Sequence, residues 1–175
     1  MKSFATTSLC TLCLMLVFSS PAVSQCSDLL RLECPFGLQG ETICIEVRIT
    51  NCAGTIDALG FEIIHQPEHL LFTGADRTGT LSENWMAFDA TPVGGMPERI
   101  RVGGFDPNGF EVVTDEVLVK LCFEILTPNV LSTPILIDPN SLVDGVQGFG
   151  ILDCGVPLPT APLTWGAIKA IYETW

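Results

Sequence analysis

Two stretches decide the fold class: Thr42 to Thr50 (TICIEVRIT) and Val117 to Leu126 (VLVKLCFEIL). In the first, Ile43, Ile45, Val47 and Ile49 fall on one face, and Thr42, Cys44, Glu46 and Arg48 on the other. In the second, Val117, Val119, Leu121, Phe123 and Ile125 share a face, opposite Leu118, Lys120, Cys122 and Glu124. A period of two is the signature of a half-buried strand. Outward from these, Leu59 to Ile63 (LGFEI) and Arg99 to Val102 (RIRV) repeat it. The latter runs into Gly103-Gly104, where a bend or bulge is expected. Leu29 to Glu33 and Pro134 to Ile137 are weaker strands. Asn51 to Gly54, Gly94-Gly95, Asp106-Pro107-Asn108-Gly109 and Asp138-Pro139-Asn140 punctuate them as turns. Nothing before Leu158 has helical periodicity and no domain-sized repeat occurs, so the expected body is an all-β sandwich or jelly roll.

The N-terminal 24 residues read as a signal peptide. Lys2 supplies the positive end, Leu9 to Phe18 (LCTLCLMLVF) the apolar stretch, and Ala22-Val23-Ser24 the small residues before a cut after Ser24. Lipidation of Cys26 is the competing reading, but Gln25 is larger than the residue such signals place before the cysteine. The apolar stretch is too short to span a membrane, which takes roughly 20 residues. Without Lys2 the remaining chain carries seven Lys and Arg against 20 Asp and Glu, one unit more negative than the −12 of the whole sequence. That charge disfavours nucleic acid and anionic membrane surfaces. Hydrophobic content of 47% excludes an intrinsically disordered chain. The expected location is secreted, periplasmic or cell-surface.

Six cysteines follow the signal: Cys26, Cys34, Cys44, Cys52, Cys122 and Cys154. An even count in an exported chain reads as up to three disulfides, with 15 connectivities open. A zinc site would want close CxxC pairs, which are absent.

The ordered segments carry a resemblance. Gly40-Glu41-Thr42, an alternating strand and then Asn51 with a glycine turn is similar to the opening of cohesin modules. Phe61 to Leu70 (FEIIHQPEHL), Arg99 to Asp106 (RIRVGGFD) and Asp115 to Ile125 (DEVLVKLCFEI) resemble three later cohesin segments, in order, over about Asp28 to Cys154. The resemblance implies a jelly-roll sandwich of about nine strands over residues 26–155, a fold shared with some carbohydrate-binding modules. It implies a non-catalytic protein-binding or assembly module, with a dockerin-like or other surface protein as partner. By the same analogy the partner face lies on a sheet containing Leu59–His65, Arg99–Val102 and Val117–Leu126. Its outward residues would be Glu62, Ile64, Arg99, Arg101, Leu118, Lys120 and Glu124, with Ile64 and Leu118 as the apolar centre. The last strand lies beside the first in that family, which makes Cys26–Cys154 or Cys34–Cys154 the expected long-range bridge. His65-Gln66 stand where cohesins commonly have Tyr-Asp. Ala58 and Gly60 stand where cellulosomal members place Asn and Asp. This departure points to a partner other than a cellulosomal dockerin.

Other chemistry finds little support. His65 and His69 read as surface or strand-end residues rather than metal ligands. The two Asp-Pro-Asn turns hold oxygens of the kind calcium takes, but turn formation accounts for both. No cofactor or metal is expected. Asp115-Glu116 are neighbours on a strand and point to opposite faces, unlike the paired carboxylates of a glycosidase. No GxSxG is present, so no enzyme is expected. Polysaccharide binding is the alternative, but the body offers one Trp, Trp85, and no Tyr for stacking. After the body, residues 156–163 (VPLPTAPL) read as a Pro-rich linker and 164–175 as a short amphipathic helix. Its stripe of Trp165, Ile168 and Tyr172 needs a surface to dock on, either its own sandwich or, in the further alternative of a structural surface protein, the component it attaches to.

Overall fold

The computed structural model describes residues 26–52, 54–127 and 132–157; the expected signal and the tail from Leu158 onward lie outside them. Within them the fold is all-β, in two packed sheets. The strands are β1 (Leu29–Glu33), β2 (Thr42–Asn51), β3 (Ile56–Ile64), β4 (Leu70–Asp76), β5 (Ala87–Val93) and β6 (Met96–Phe110). They continue as β7 (Val113–Ile125), β8 (Ser132–Ile137), β9 (Val143–Asp144), β10 (Gly150–Leu152) and β11 (Cys154–Pro157). One sheet runs β10-β1-β2-β7-β4, the other β11-β8-β3-β6-β5, with β9 added beside β3. The strand count exceeds nine because the final stretch is split. Gly150–Leu152 pairs parallel to β1 in the first sheet, and Cys154–Pro157 antiparallel to β8 in the second. Asp153 sits at the crossing and accepts a 2.8 Å hydrogen bond from the Ile137 N–H.

Alternation drives the packing. The inward residues Ile45, Val47 and Ile49 of β2 and Leu121, Phe123 and Ile125 of β7 meet Phe61 and Ile63 of β3 and Ile100 and Val102 of β6, all at most 1% exposed. Each such side chain contributes about 1.5–3 kcal/mol by leaving water. Trp85, outside any strand, closes one end, stacked at 5.9 Å on Phe110.

The structure corrects the sequence reading in five places. Strand β7 belongs to the sheet of β1 and β2, because its pairs are β2 and β4, so it does not share a face with β3 and β6. Leu118 is fully buried, not outward: β2 pairs Val47 with Val119 and then Arg48 with Val117, leaving Leu118 as the extra residue of a β-bulge. Gly103-Gly104 do not end their strand, and neither does Asp106-Pro107-Asn108-Gly109, which bulges out within β6 between the Ala58–Phe105 and Ile56–Phe110 pairs instead of forming a turn between strands. β6 passes through the two glycines in register, Gly60 opposite Gly103 and Leu59 opposite Gly104. A Cβ on Gly104 would lie 2.6 Å from the Trp85 ring, so that glycine makes room for the tryptophan. Val156 and Pro157 belong to β11 rather than to a linker. His65 is buried, 5% exposed, its ring 5.3 Å from Phe123 and its Nδ1 donating to the Glu98 carbonyl at 3.1 Å. Burial pushes its pKa below the ordinary histidine value.

The six cysteines form three disulfides: Cys26–Cys52, Cys34–Cys154 and Cys44–Cys122. Cys34–Cys154, one of the two long-range pairings expected, ties the first strand to the last. Cys44–Cys122 joins residues directly opposed on β2 and β7.

Candidate functional site

The two outer sheet faces differ in kind. On the β10-β1-β2-β7-β4 face, charges satisfy one another. Arg31 donates to both Asp115 carboxylate oxygens at 2.9 Å, and Arg48 pairs with Glu46 at 2.6 Å and with Asp115 at 3.3 Å. Arg31 chiefly, with Arg48, holds the Asp115 carboxyl below its ordinary pKa. Lys120 reaches the Thr78 carbonyl at 3.2 Å, and Glu124 lies beside Thr42 of β2. This is a self-paired surface crossed by a disulfide.

The β11-β8-β3-β6-β5 face is built differently. Register lays its outward residues in cross-strand rows. Ile64 stands between Leu136 and Arg99, and Glu62 beside Arg101, which faces Thr91. Gly60 stands between Val143 and Gly103, which faces Asp89, and Ala58 beside Phe105, which faces Ala87. The third row has no side chain on either central strand. It is therefore the floor of a trough, about 14 Å wide from row to row at two residues per 6.8 Å. Gly60 is required there, since a Cβ would lie 2.9 Å from the Val143 side chain. One wall is charged, Glu62 and Arg101; the other is apolar, Phe105 and Ala87. Depressions of about 290 and 510 Å³ meet at Gly103, the first walled by Val143 and Ser141, the second by Met86 and Asp89. Met86, Val143 and Phe105 are 73%, 49% and 45% exposed.

Glu62 organises the charged wall. It accepts from Arg99 at 2.9 Å and from Arg101 at 3.1 Å, while Arg99 also donates to Asp138 at 2.7 Å. Arg99 is the chief cause of the lowered pKa of both Glu62 and Asp138. Folded-state pKa values below the unfolded ones mean stability that is present above about pH 4 and is lost as pH falls through the folded values. Glu62→Gln should therefore flatten the acid limb. The urea midpoint should fall less between pH 7 and pH 3 in the variant than in the parent chain, and an equal fall would show that the cluster contributes nothing. The effect is modest, because Arg101 is largely solvated.

Of the expected partner-face residues, the structure brings Glu62, Ile64, Arg99 and Arg101 onto this face. Lys120 and Glu124 project from the opposite sheet, and Leu118 lies in the core. The glycine trough, Phe105, Met86, Val143 and Leu136 escaped the sequence reading. The Gly103-Gly104-Phe105 run carried the signal but read as a bend. Val143 carried none, since a two-residue strand has no period.

The two Asp-Pro-Asn stretches are self-satisfied. Asp106 accepts from the Asn108 and Met86 N–H groups at 2.8 and 3.1 Å, and Asp138 from the Asn140 N–H at 3.0 Å besides Arg99. No group of three His, Cys, Asp or Glu converges among the described residues. Among the described residues no helix long and apolar enough to cross a membrane occurs. Trp165, Ile168 and Tyr172 lie outside the described residues.

No protein-family model and no curated protein matches the sequence. Solved structures do. CaCohA2 from Clostridium acetobutylicum superposes with a TM-score of 0.65 at 16% identity, over 78% of this chain and 94% of that one. The sixth cohesin of Acetivibrio cellulolyticus scaffoldin B, solved in complex with a Cel5 dockerin, gives 0.61 at 16%, over 75% and 99%. A non-cellulosomal cohesin from the hyperthermophilic archaeon Archaeoglobus fulgidus gives 0.55 at 18%, over 85% and 99%. The two-sheet jelly roll of this chain is thus the cohesin fold.

Proposed function

We propose that this chain is an exported, non-catalytic assembly module that captures a protein partner on the outer face of its β11-β8-β3-β6-β5 sheet. The observation that carries the reading is the glycine-floored trough, with an apolar wall at Phe105, Ala87 and Met86 and a charged wall at Glu62 and Arg101. An apolar centre with a polar rim is the usual anatomy of a protein interface. Neighbours of the same fold crystallised with dockerins support a protein ligand of some kind. Ala58 and Gly60 give this trough no polar side chains at its floor, so the ligand would be recognised by shape and by the flanking walls. The disulfides suit an oxidising compartment. Polysaccharide binding finds no comparable support, since Trp85 is 6% exposed and stacked on Phe110.

The test is capture from the native secretome by the oxidised chain and two variants. Phe105→Asp removes the apolar wall and should weaken capture of the specific ligand about 30-fold, a loss of about 2 kcal/mol at a central contact. Lys120→Asp, on the opposite face, should leave it within twofold. Equal capture by the parent chain and Phe105→Asp would sink the assignment of this face.

A further inference from the structure

The last described residue, Pro157, ends the edge strand of the same sheet, and one end of its outer face is apolar. Buried Thr133, Ile135 and Ile137 point inward from β8, so Pro134 and Leu136 point outward. Leu136 is 39% exposed and lies beside Ile64 of β3. Gly155 of β11 pairs with Pro134 and leaves a notch beside it, and Pro157 pairs with Ser132. The result is an apolar strip, Pro157–Pro134–Leu136–Ile64, that begins where the chain leaves the sandwich.

Residues 158–175 carry a matching sequence. Trp165, Ile168 and Tyr172 recur at helical spacing, and a segment this short is marginal as a helix unless it buries its stripe. The reach is sufficient. Leu136 is four residues along β8 from Ser132 and one strand over from Pro157, about 14 Å away. Trp165 is the eighth residue after Pro157, and a Pro-rich stretch of that length reaches up to about 25 Å. A tether long enough to span its sites raises the local concentration, so even a weak contact gains occupancy.

We propose that residues 158–175 dock in cis on the Pro134–Leu136–Ile64 strip through Trp165, Ile168 and Tyr172. The proposal is independent of which partner the trough takes. Lys169 is the one tryptic site in this segment, which makes it a reporter. In the oxidised chain, cleavage after Lys169 should be at least tenfold slower than in the free peptide of residues 158–175. Leu136→Asp, Ile64→Asp and Trp165→Ala should each restore the peptide's rate, with near-ultraviolet circular dichroism reporting an intact sandwich. The Trp165 variant alters no residue of the described sandwich, so it keeps the test valid if a strand variant misfolds. Cleavage of the parent chain at the peptide's rate would overturn the proposal. So would protection that survives Leu136→Asp in a folded chain, or protection that is lost on dilution together with a dimer seen by light scattering.

Discussion

Replacing Leu118 by Asp should unfold the protein or cost more than about 4 kcal/mol, while Ile64→Asp costs about 1 kcal/mol or less. Strict alternation along Val117 to Leu126 would make the two positions equivalent, both outward. The structure separates them. Leu118 is 0% exposed, because the bulge opposite Val47 and Arg48 turns it inward beside Val119. Its carbonyl accepts from the buried Ser82 hydroxyl at 2.7 Å and from the Ser82 N–H at 3.3 Å, which pins the loop between β4 and β5 over that spot. An Asp there loses the burial of a leucine, about 2–5 kcal/mol, and leaves an unpaired carboxylate away from water. Against a typical total stability of about 5–15 kcal/mol, that is most of the fold. Urea midpoints for both variants decide the matter. Equal midpoints would mean that β7 has no bulge and that Leu118 faces solvent.

Leu118 also shows where the sequence stops being readable. Period-two patterning identifies a strand and assigns its faces only while the strand stays regular. One inserted residue inverts the assignment on the far side. Nothing local in VLVKLCFEIL marks the insertion, because Leu suits either face. Sheet membership was equally hidden. β3, β6 and β7 are all alternating strands, and which of them pair depends on long-range register. The resemblance placed three such segments on one sheet, and the structure divides them between two. What was legible was the chemistry that acts locally. Ile43, Ile45, Val47 and Ile49 all point into the core, and Asp138 caps its own turn. The paired glycines at 103 and 104 were visible but were read for conformational freedom. Their use is the missing side chain, which gives Trp85 its space on the inner face and leaves the trough on the outer one.

The other large effect concerns Cys34–Cys154. Replacing both by Ser should lower stability by about 5 kcal/mol, where the same change at Cys26 and Cys52 costs about 3.5 kcal/mol. The difference follows from the chain closed by each bridge, 120 residues against 26. In the chain-entropy account, a cross-link withdraws from the unfolded ensemble a freedom that grows with the logarithm of the loop. The long bridge also has a structural job that the short one lacks. It holds β11, the edge strand of one sheet, to the end of β1 in the other, near the point where Asp153 passes the chain between sheets. Its loss should free that seam as well as the unfolded chain, so hydrogen exchange at Val156 should rise before global unfolding. Urea midpoints at constant slope separate the two pairs of variants. If the Cys26/Cys52 variant proved the weaker, loop length would not be what these bridges contribute, and local packing around each sulfur pair would have to replace it as the explanation.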